Sequence, residues 1–268
     1  MEKDYSGYVD SSYLDEQTRV LSAVKRRTYE LMAVEVGHRV LDVGCGPGSD
    51  TLSLADLVGD SGEVYGVDFD PEMVDEAAKR ATAADLRERV LHRQADAVAL
   101  PFDDDFFDAC RSERLFQHLS DPQRGLAEMI RVTRPGGRIV VLDGDYGSLS
   151  IGSAIPEVER RVVEQYRFMM NSPFAARSLY RWFKTADLDL VSFQVVPFSF
   201  DDLGVFSQTV LLDRVLREAQ ETGRITNDES SRFLADLERA AEIGGFFASA
   251  QLLLVSGRKQ YATTNGSR

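Results

Sequence analysis

Residues 39–70 read RVLDVGCGPGSDTLSLADLVGDSGEVYGVDFD, and this stretch decides the fold. Val40, Leu41 and Val43 make a short apolar run suited to a strand buried on both faces. Gly44, Cys45, Gly46, Pro47 and Gly48 follow at once. Glycine suits a tight turn at positive φ and leaves no Cβ between backbone and ligand. Ser49 is placed to cap a helix carrying Leu52, Leu54, Ala55, Leu57 and Val58. Residues 59–62 break that helix, and Val64, Tyr65, Gly66 and Val67 form a second strand ending at Asp68. A carboxylate there, on the order of 20 residues past the glycines, suits a two-pronged grip on ribose hydroxyls. The unit reads as a nucleoside binder.

A dinucleotide fingerprint would run G-x-G-x-x-G, with a pyrophosphate on the helix N-terminus. Here the third glycine comes one position early, as Gly48, and Ser49 holds the sixth position. Asp42, at the end of the first strand, would repel a pyrophosphate but can hold an ammonium. Together Asp42, the alternating Gly44, Gly46 and Gly48, and Asp68 resemble the first motif and acidic follower of class I S-adenosylmethionine-dependent methyltransferases. Within that family the resemblance is to the small-molecule, ubiquinone/menaquinone-biosynthesis branch. It implies an α/β Rossmann-like, doubly wound sheet of seven strands in the order 3-2-1-4-5-7-6, the last antiparallel. It also implies S-adenosylmethionine as cofactor and S-adenosylhomocysteine as product.

Further landmarks follow at matching places. Asp70-Pro71 starts a helix whose stripe is Met73, Val74, Ala77, Ala78 and Ala81. Family resemblance puts Phe69 and Met73 on either side of the adenine. Residues 90–94 read as a third strand leading to Ala95-Asp96-Ala97 and Leu100-Pro101-Phe102. In the family this Asp accepts from the adenine amine and the next backbone N–H, that of Ala97, reaches a ring nitrogen. A carboxylate suits the amine because it only accepts. Residues 106–111 enter a fourth strand, and Arg111, Ser112, Glu113, Arg114, Gln117 and His118 lie at its carboxyl end, where open α/β sheets place substrates. The resemblance places Ser112, Gln117 and the loop residue Cys45 at the cofactor, and Glu113 or Arg114 at the acceptor. The charged Ser-Glu-Arg departs from relatives, which are often small or apolar there. Arg134-Pro135-Gly136-Gly137 before a fifth strand at 138–142 is a further family mark.

The flanks carry less. Residues 1–14 hold Tyr5, Tyr8 and Tyr13, and tyrosine-bearing N-terminal segments of relatives fold over the cofactor as a lid. Residues 15–35 show a helical stripe of Val20, Leu21, Val24, Thr28, Leu31 and Met32. Arg19 and Lys25 on the other face could reach the methionine carboxylate of the cofactor, though a solvated face is the expected reading. Asp143, Asp145 and Tyr146 follow the fifth strand, and Asp145 and Tyr146 are acceptor candidates. Helices are expected near 156–171 and 174–186, a strand at 190–200, two amphipathic helices within 201–245 and a last strand at 246–258. The 201–245 insertion is an expected acceptor pocket or oligomer contact. The expected organisation is a lid and helix at 1–36, a cofactor-binding domain at 37–258 and a flexible tail at 259–268.

Composition narrows the partners. The 268 residues bury a full core, 43% are hydrophobic, and the net charge is −13. Such a surface repels nucleic acid and anionic membranes, and no apolar run approaches the roughly 18 residues of a membrane span. Cys45 and Cys110 fit neither metal spacing nor a disulfide framework, so no metal is expected and the reading is cytoplasmic, with a homo-oligomer possible. Of His38, His92 and His118, only His118 is placed to act as a base. The expected function is methyl transfer to the O, C or N of a small molecule, in secondary-metabolite or quinone-like biosynthesis. The acidic surface and apolar insertion favour a neutral or cationic, partly hydrophobic acceptor. Two alternatives stand beside it: a non-methylating S-adenosylmethionine binder, pericyclase-like or structural, and an NAD-dependent oxidoreductase.

Overall fold

Val40, Leu41 and Val43 are buried among neighbours on both sides, as a central strand requires. The computed structural model describes residues 22–186 and 188–261. Its elements are α1 (Ser22–Met32), β1 (Arg39–Val43), α2 (Ser49–Val58), β2 (Glu63–Asp68), α3 (Pro71–Ala83), β3 (Val90–Gln94) and β4 (Phe107–Glu113). A 3-10 turn (Phe116–His118), α4 (Pro122–Val132), β5 (Thr133–Ile151), α5 (Pro156–Phe168) and α6 (Ala175–Thr185) follow. The chain ends with β6 (Leu188–Phe200), α7 (Leu203–Val210), α8 (Leu212–Glu221), α9 (Asn227–Glu242) and β7 (Ala248–Lys259). The seven strands lie in the order β3-β2-β1-β4-β5-β7-β6. β1 to β5 pair in parallel and β7 runs antiparallel between β5 and β6. The sheet is the one implied by the resemblance.

Local chemistry explains the helix starts. The Asp70 side chain accepts from the Glu72 N–H at 2.9 Å with Pro71 in the first helical position, and Asp121 caps α4 in the same way. Ser49 differs from expectation. It is the first residue of α2, and the N-cap is Gly48, in the left-handed region at φ 82° with no side-chain cap. A Cβ on Gly48 would stand 2.9 Å from the Ala77 Cβ and 3.2 Å from its Cα. Gly48 thus lets the glycine loop seat against α3. Substituting alanine is expected to cost about 1–3 kcal/mol, combining strained φ with overpacking. Urea denaturation checks this; an unchanged midpoint would show that the loop and α3 simply part.

Several boundaries move. The 1–14 lid, Arg19 and the start of the 15–35 helix lie outside the described residues. β4 extends to Glu113, so Ser112 sits within a strand. β5 is 19 residues long, taking in residues 134–137 and running on past Leu142, with an irregularity between Asp145 and Ser150. The insertion holds three helices, because Leu211, at φ 53°, separates α7 from α8. Lys259 belongs to β7, not to a tail.

Two apolar clusters flank the sheet. A third is built from α5, the insertion helices and the ends of β5, β6 and β7, with Tyr166, Phe200, Phe206, Phe233 and Phe246 in it. Ion pairing of Arg161 with Glu229 at 2.7 Å ties α5 to α9. Asp236 of α9 accepts from Ser153 Oγ and the Ala154 N–H, both at 2.8 Å. No helix among the described residues is long and apolar enough to cross a membrane.

Candidate active site

Parallel pairing brings the carboxyl ends of β1, β2, β3 and β4 to one edge, and a cavity of about 700 Å³ opens there. One half of its wall comes from the glycine loop (Gly44, Cys45, Gly46 and Pro47), from Asp42, from Asp68 to Asp70 with Met73, and from Ala95 to Val98. The other half comes from the ends of β5, β6 and β7, from α5 and from the α7–α8 junction. Residues just after β4, Arg114 to Ser120, lie between the two.

Asp68 is the best-placed carboxylate. Its Oδ2 accepts from the Gly46 N–H at 2.8 Å and its Oδ1 from the Asp70 N–H at 3.0 Å. A carboxylate offers about four acceptor positions, so acceptor capacity remains for a hydroxyl in the cavity. Burial pushes its carboxyl above the ordinary range, against the pull of these N–H groups. Phe69 stands 61% exposed beside the cavity, directly after the Asp68 that ends β2. Asp96 both forms a turn, accepting from the Val98 N–H at 3.0 Å, and lines the wall with Ala97.

Behind the glycine loop lies a buried charge cluster that sequence reasoning missed. Arg111, fully buried, bonds Asp42 at 3.2 Å, Asp50 at 3.1 Å and Glu113 at 2.8 Å. Lys25 Nζ bonds Asp50 at 2.6 Å and Glu113 at 3.0 Å. Lys25 was expected on a solvated face; it is 5% exposed and lines the cavity. The Tyr29 hydroxyl donates to Asp50. Arg114 Nε adds a third cation, 3.4 Å from Glu113, so three carboxylates face three cations. Burial pushes the Asp50 carboxyl up, but Arg111 and Lys25 outweigh it and hold it well below the usual range. Asp42 goes the other way: burial, against the pull of Arg111 and with Asp50 nearby, pushes it up to about 7.

Other expected site residues fall differently. Gly48 packs against α3 and Ser112 is buried in β4; neither lines the cavity. Asp145 lines it but is held by Arg177 through two bonds of 2.9 and 2.8 Å, so it is not an open carboxylate for an acceptor. Tyr146 lines the cavity, its ring edge-on to Tyr166 with centroids 5.2 Å apart. Gln117 and His118 both reach the wall, joined at 2.9 Å between Gln117 Nε2 and His118 Nε2. An amide nitrogen only donates, so His118 Nε2 accepts and carries no proton. His92, half-buried, bonds Thr51 Oγ1 at 2.9 Å, and burial lowers it to about 4; it lies off the wall. Asp143, pushed up to about 7 by burial, accepts from the N–H groups of Phe116 and Gly144 and so fixes the turn that carries Gln117 and His118. No group of three or more metal-ligating side chains occurs among the described residues.

Residues 40–137 match a methyltransferase domain model. The chain is 32% identical to the demethylmenaquinone methyltransferase of Staphylococcus aureus (strain MRSA252), over 61% of this chain and 73% of that protein. This is a member of the methyltransferase family. A 37.1 kDa uncharacterized protein in transposon TN4556 of Streptomyces fradiae is 33% identical, over 91% of this chain and 70% of that one. Geranyl diphosphate C-methyltransferase from Streptomyces coelicolor A3(2), solved with S-adenosyl-L-homocysteine, shares the fold at TM-score 0.58 and 20% identity, covering 90% and 77%. The family's cofactor is S-adenosylmethionine, so the NAD reading falls.

The donor set fits this cofactor. A ribose calls for paired acceptors, supplied by Asp68, and an adenine calls for an acceptor and apolar faces, supplied by Asp96, Phe69 and Met73. The Asp42 carboxyl, on the same wall, suits a ligand carrying an ammonium group.

Proposed function

We propose that the methyltransferase moves a methyl group to an O, C or N atom of a small molecule in secondary-metabolite or quinone-like biosynthesis. The single observation carrying this reading is the division of one cavity into a nucleoside-shaped half and a separate half walled by β5, β6, β7 and the insertion. The names of relatives support the setting: a demethylmenaquinone methyltransferase and the methyltransferase GfsG of Streptomyces halstedii.

S-adenosylmethionine supplies a methyl group already activated by positive sulfur and leaves as S-adenosylhomocysteine. The protein's part is alignment and exclusion of water. Asp68 takes the ribose hydroxyls, Asp96 and the Ala97 N–H read the adenine edge, and Phe69 and Met73 cover its faces. Asp42, backed by Arg111, holds the ammonium, while the Gly44, Cys45 and Gly46 backbone lies along the cofactor. Gln117 and His118 wall the transfer path. Where the acceptor is a hydroxyl, His118 is the histidine on that wall, and its Nε2 can take the hydroxyl proton only by giving up the bond from Gln117.

Calorimetric titration with S-adenosylhomocysteine, with NAD as control, tests the site. Micromolar binding of the first alone supports it, and preferential binding of NAD overturns it. Acidity at Asp42 adds a second expectation. With its carboxyl at about 7, Asp42 holds a proton at pH 6 that an incoming ammonium must displace. Affinity is therefore expected to rise several-fold from pH 6 to 7.5, with proton release visible as a buffer-dependent binding enthalpy. An Asp42→Asn variant should bind weakly with a flat profile. Flat or falling affinity in the wild type would remove Asp42 from the ammonium site.

A further inference from the structure

The half of the cavity away from the nucleoside site has a chemistry of its own. Its wall is made by Tyr146 and Leu149 of β5, Tyr166 of α5, Phe198 and Phe200 of β6, and Val210 and Leu211 at the α7–α8 junction, closed by Leu252 of β7. Phe198 and Phe200 meet edge-to-face at 4.6 Å, and Phe200 continues onto Phe206 at 5.2 Å. The polar side chains there are uncharged ones, Asn171, Thr209 and Gln251. The charged groups at this end are already matched: Asp145 is held by Arg177 and Arg114 lies 3.4 Å from Glu113.

We propose that the acceptor is an uncharged molecule with a largely apolar, ring-bearing or extended body, and that this methyltransferase discriminates against acceptors of either charge. An ion entering this end would lose water with no open counter-charge among the described residues to replace it, and that penalty is large. A neutral body exchanges water for aromatic and aliphatic walls, and its polar substituents meet Asn171, Thr209 or Gln251. The proposal rests on the preceding assignment of the two halves of the cavity.

A matched series separates charge from shape. The full-length protein, loaded with S-adenosylhomocysteine, is titrated with 1-naphthol, 1-naphthyl phosphate and 1-naphthylmethylamine, which share one ring system. Naphthol is expected to bind at least about tenfold more tightly than either charged relative. Phe198→Ser is expected to weaken naphthol about fivefold or more and leave S-adenosylhomocysteine affinity unchanged. Gln251 is exposed, so Gln251→Lys should fold; it is expected to narrow or reverse the preference of naphthol over naphthyl phosphate. A charged relative that binds the wild type as tightly as naphthol overturns the proposal. So does absence of naphthol binding at millimolar concentration, or a preference that neither variant alters. Loss of S-adenosylhomocysteine binding itself is read in the same experiment and would count against the cofactor assignment instead; the naphthyl order on the unloaded protein then still decides the acceptor class.

Discussion

Asp68→Ala is expected to weaken S-adenosylhomocysteine binding by about 100-fold or more. Two hydrogen bonds from ribose hydroxyls to a carboxylate contribute about 1.5–3 kcal/mol each, and every 1.4 kcal/mol is about tenfold in affinity. The same side chain holds the N–H groups of Gly46 and Asp70, so alanine also releases the glycine loop. Asp68→Asn separates the two effects, since its single carbonyl oxygen keeps part of the acceptor capacity and its loss should be smaller. The measurement is calorimetric titration of each variant, with folding confirmed by thermal denaturation. A folded Asp68→Ala protein with affinity within threefold of wild type would move the ribose contact elsewhere.

Arg111→Met is expected to be the most damaging single change to stability, costing about 3–5 kcal/mol. Removing one partner of a buried ion pair leaves the others uncompensated. Here it leaves Asp42, Asp50 and Glu113 with only Lys25 and the more distant Arg114 to face them. Thermal denaturation should show a melting temperature about 6–20 °C lower. The sign of its pH dependence follows from the same geometry. With Arg111 gone, the carboxyls have folded values raised above their unfolded ones. They therefore cost nothing while protonated in both states, and the penalty grows as pH rises through the window between the two values. The gap to wild type should be smaller at pH 5 than at pH 8. A gap that is constant, or wider at pH 5, would mean that Arg111 acts by packing rather than by charge.

These two residues also show what the sequence makes legible. Asp68 announces itself because its role is local: a strand, a glycine loop and a carboxylate follow one another within 30 residues, and the parallel pairing of β1 with β2 does the rest. The strand order followed from the family's motifs, one in each β–α unit. Arg111 and Lys25 are different. Their partners are up to 88 positions away, from Lys25 to Glu113, and no spacing rule links residues brought together only by the closure of α1 over β4 and β5. Polar residues on an apparent outer face of α1 looked solvated because nothing nearby in sequence says what covers them. Asp145 misled for the same reason, its Arg177 partner lying 32 residues on. Alternating Val and Phe in β6 read as an ordinary strand, with no hint that Phe198 and Phe200 face a ligand space while Phe193 stands 53% exposed on the sheet's edge strand. Apolar residues carry the same sequence signature whether they touch each other or a substrate.

That last identity has a consequence for how this protein diversifies. Leu149, Tyr166, Phe200 and Val210 belong both to the cavity wall and to the apolar cluster that holds the insertion together. A point change that reshapes the space for one acceptor also removes a brick from the cap's own foundation, so drift toward new acceptors one residue at a time meets a stability barrier at each step. Exchange of the segment from α7 through α9 together with α5, as a block with its partners intact, avoids that barrier. The nucleoside half, anchored on β1, β2 and β3, would not register the exchange. Descent with a fixed cofactor and a replaceable cap is the evolutionary path this architecture leaves open.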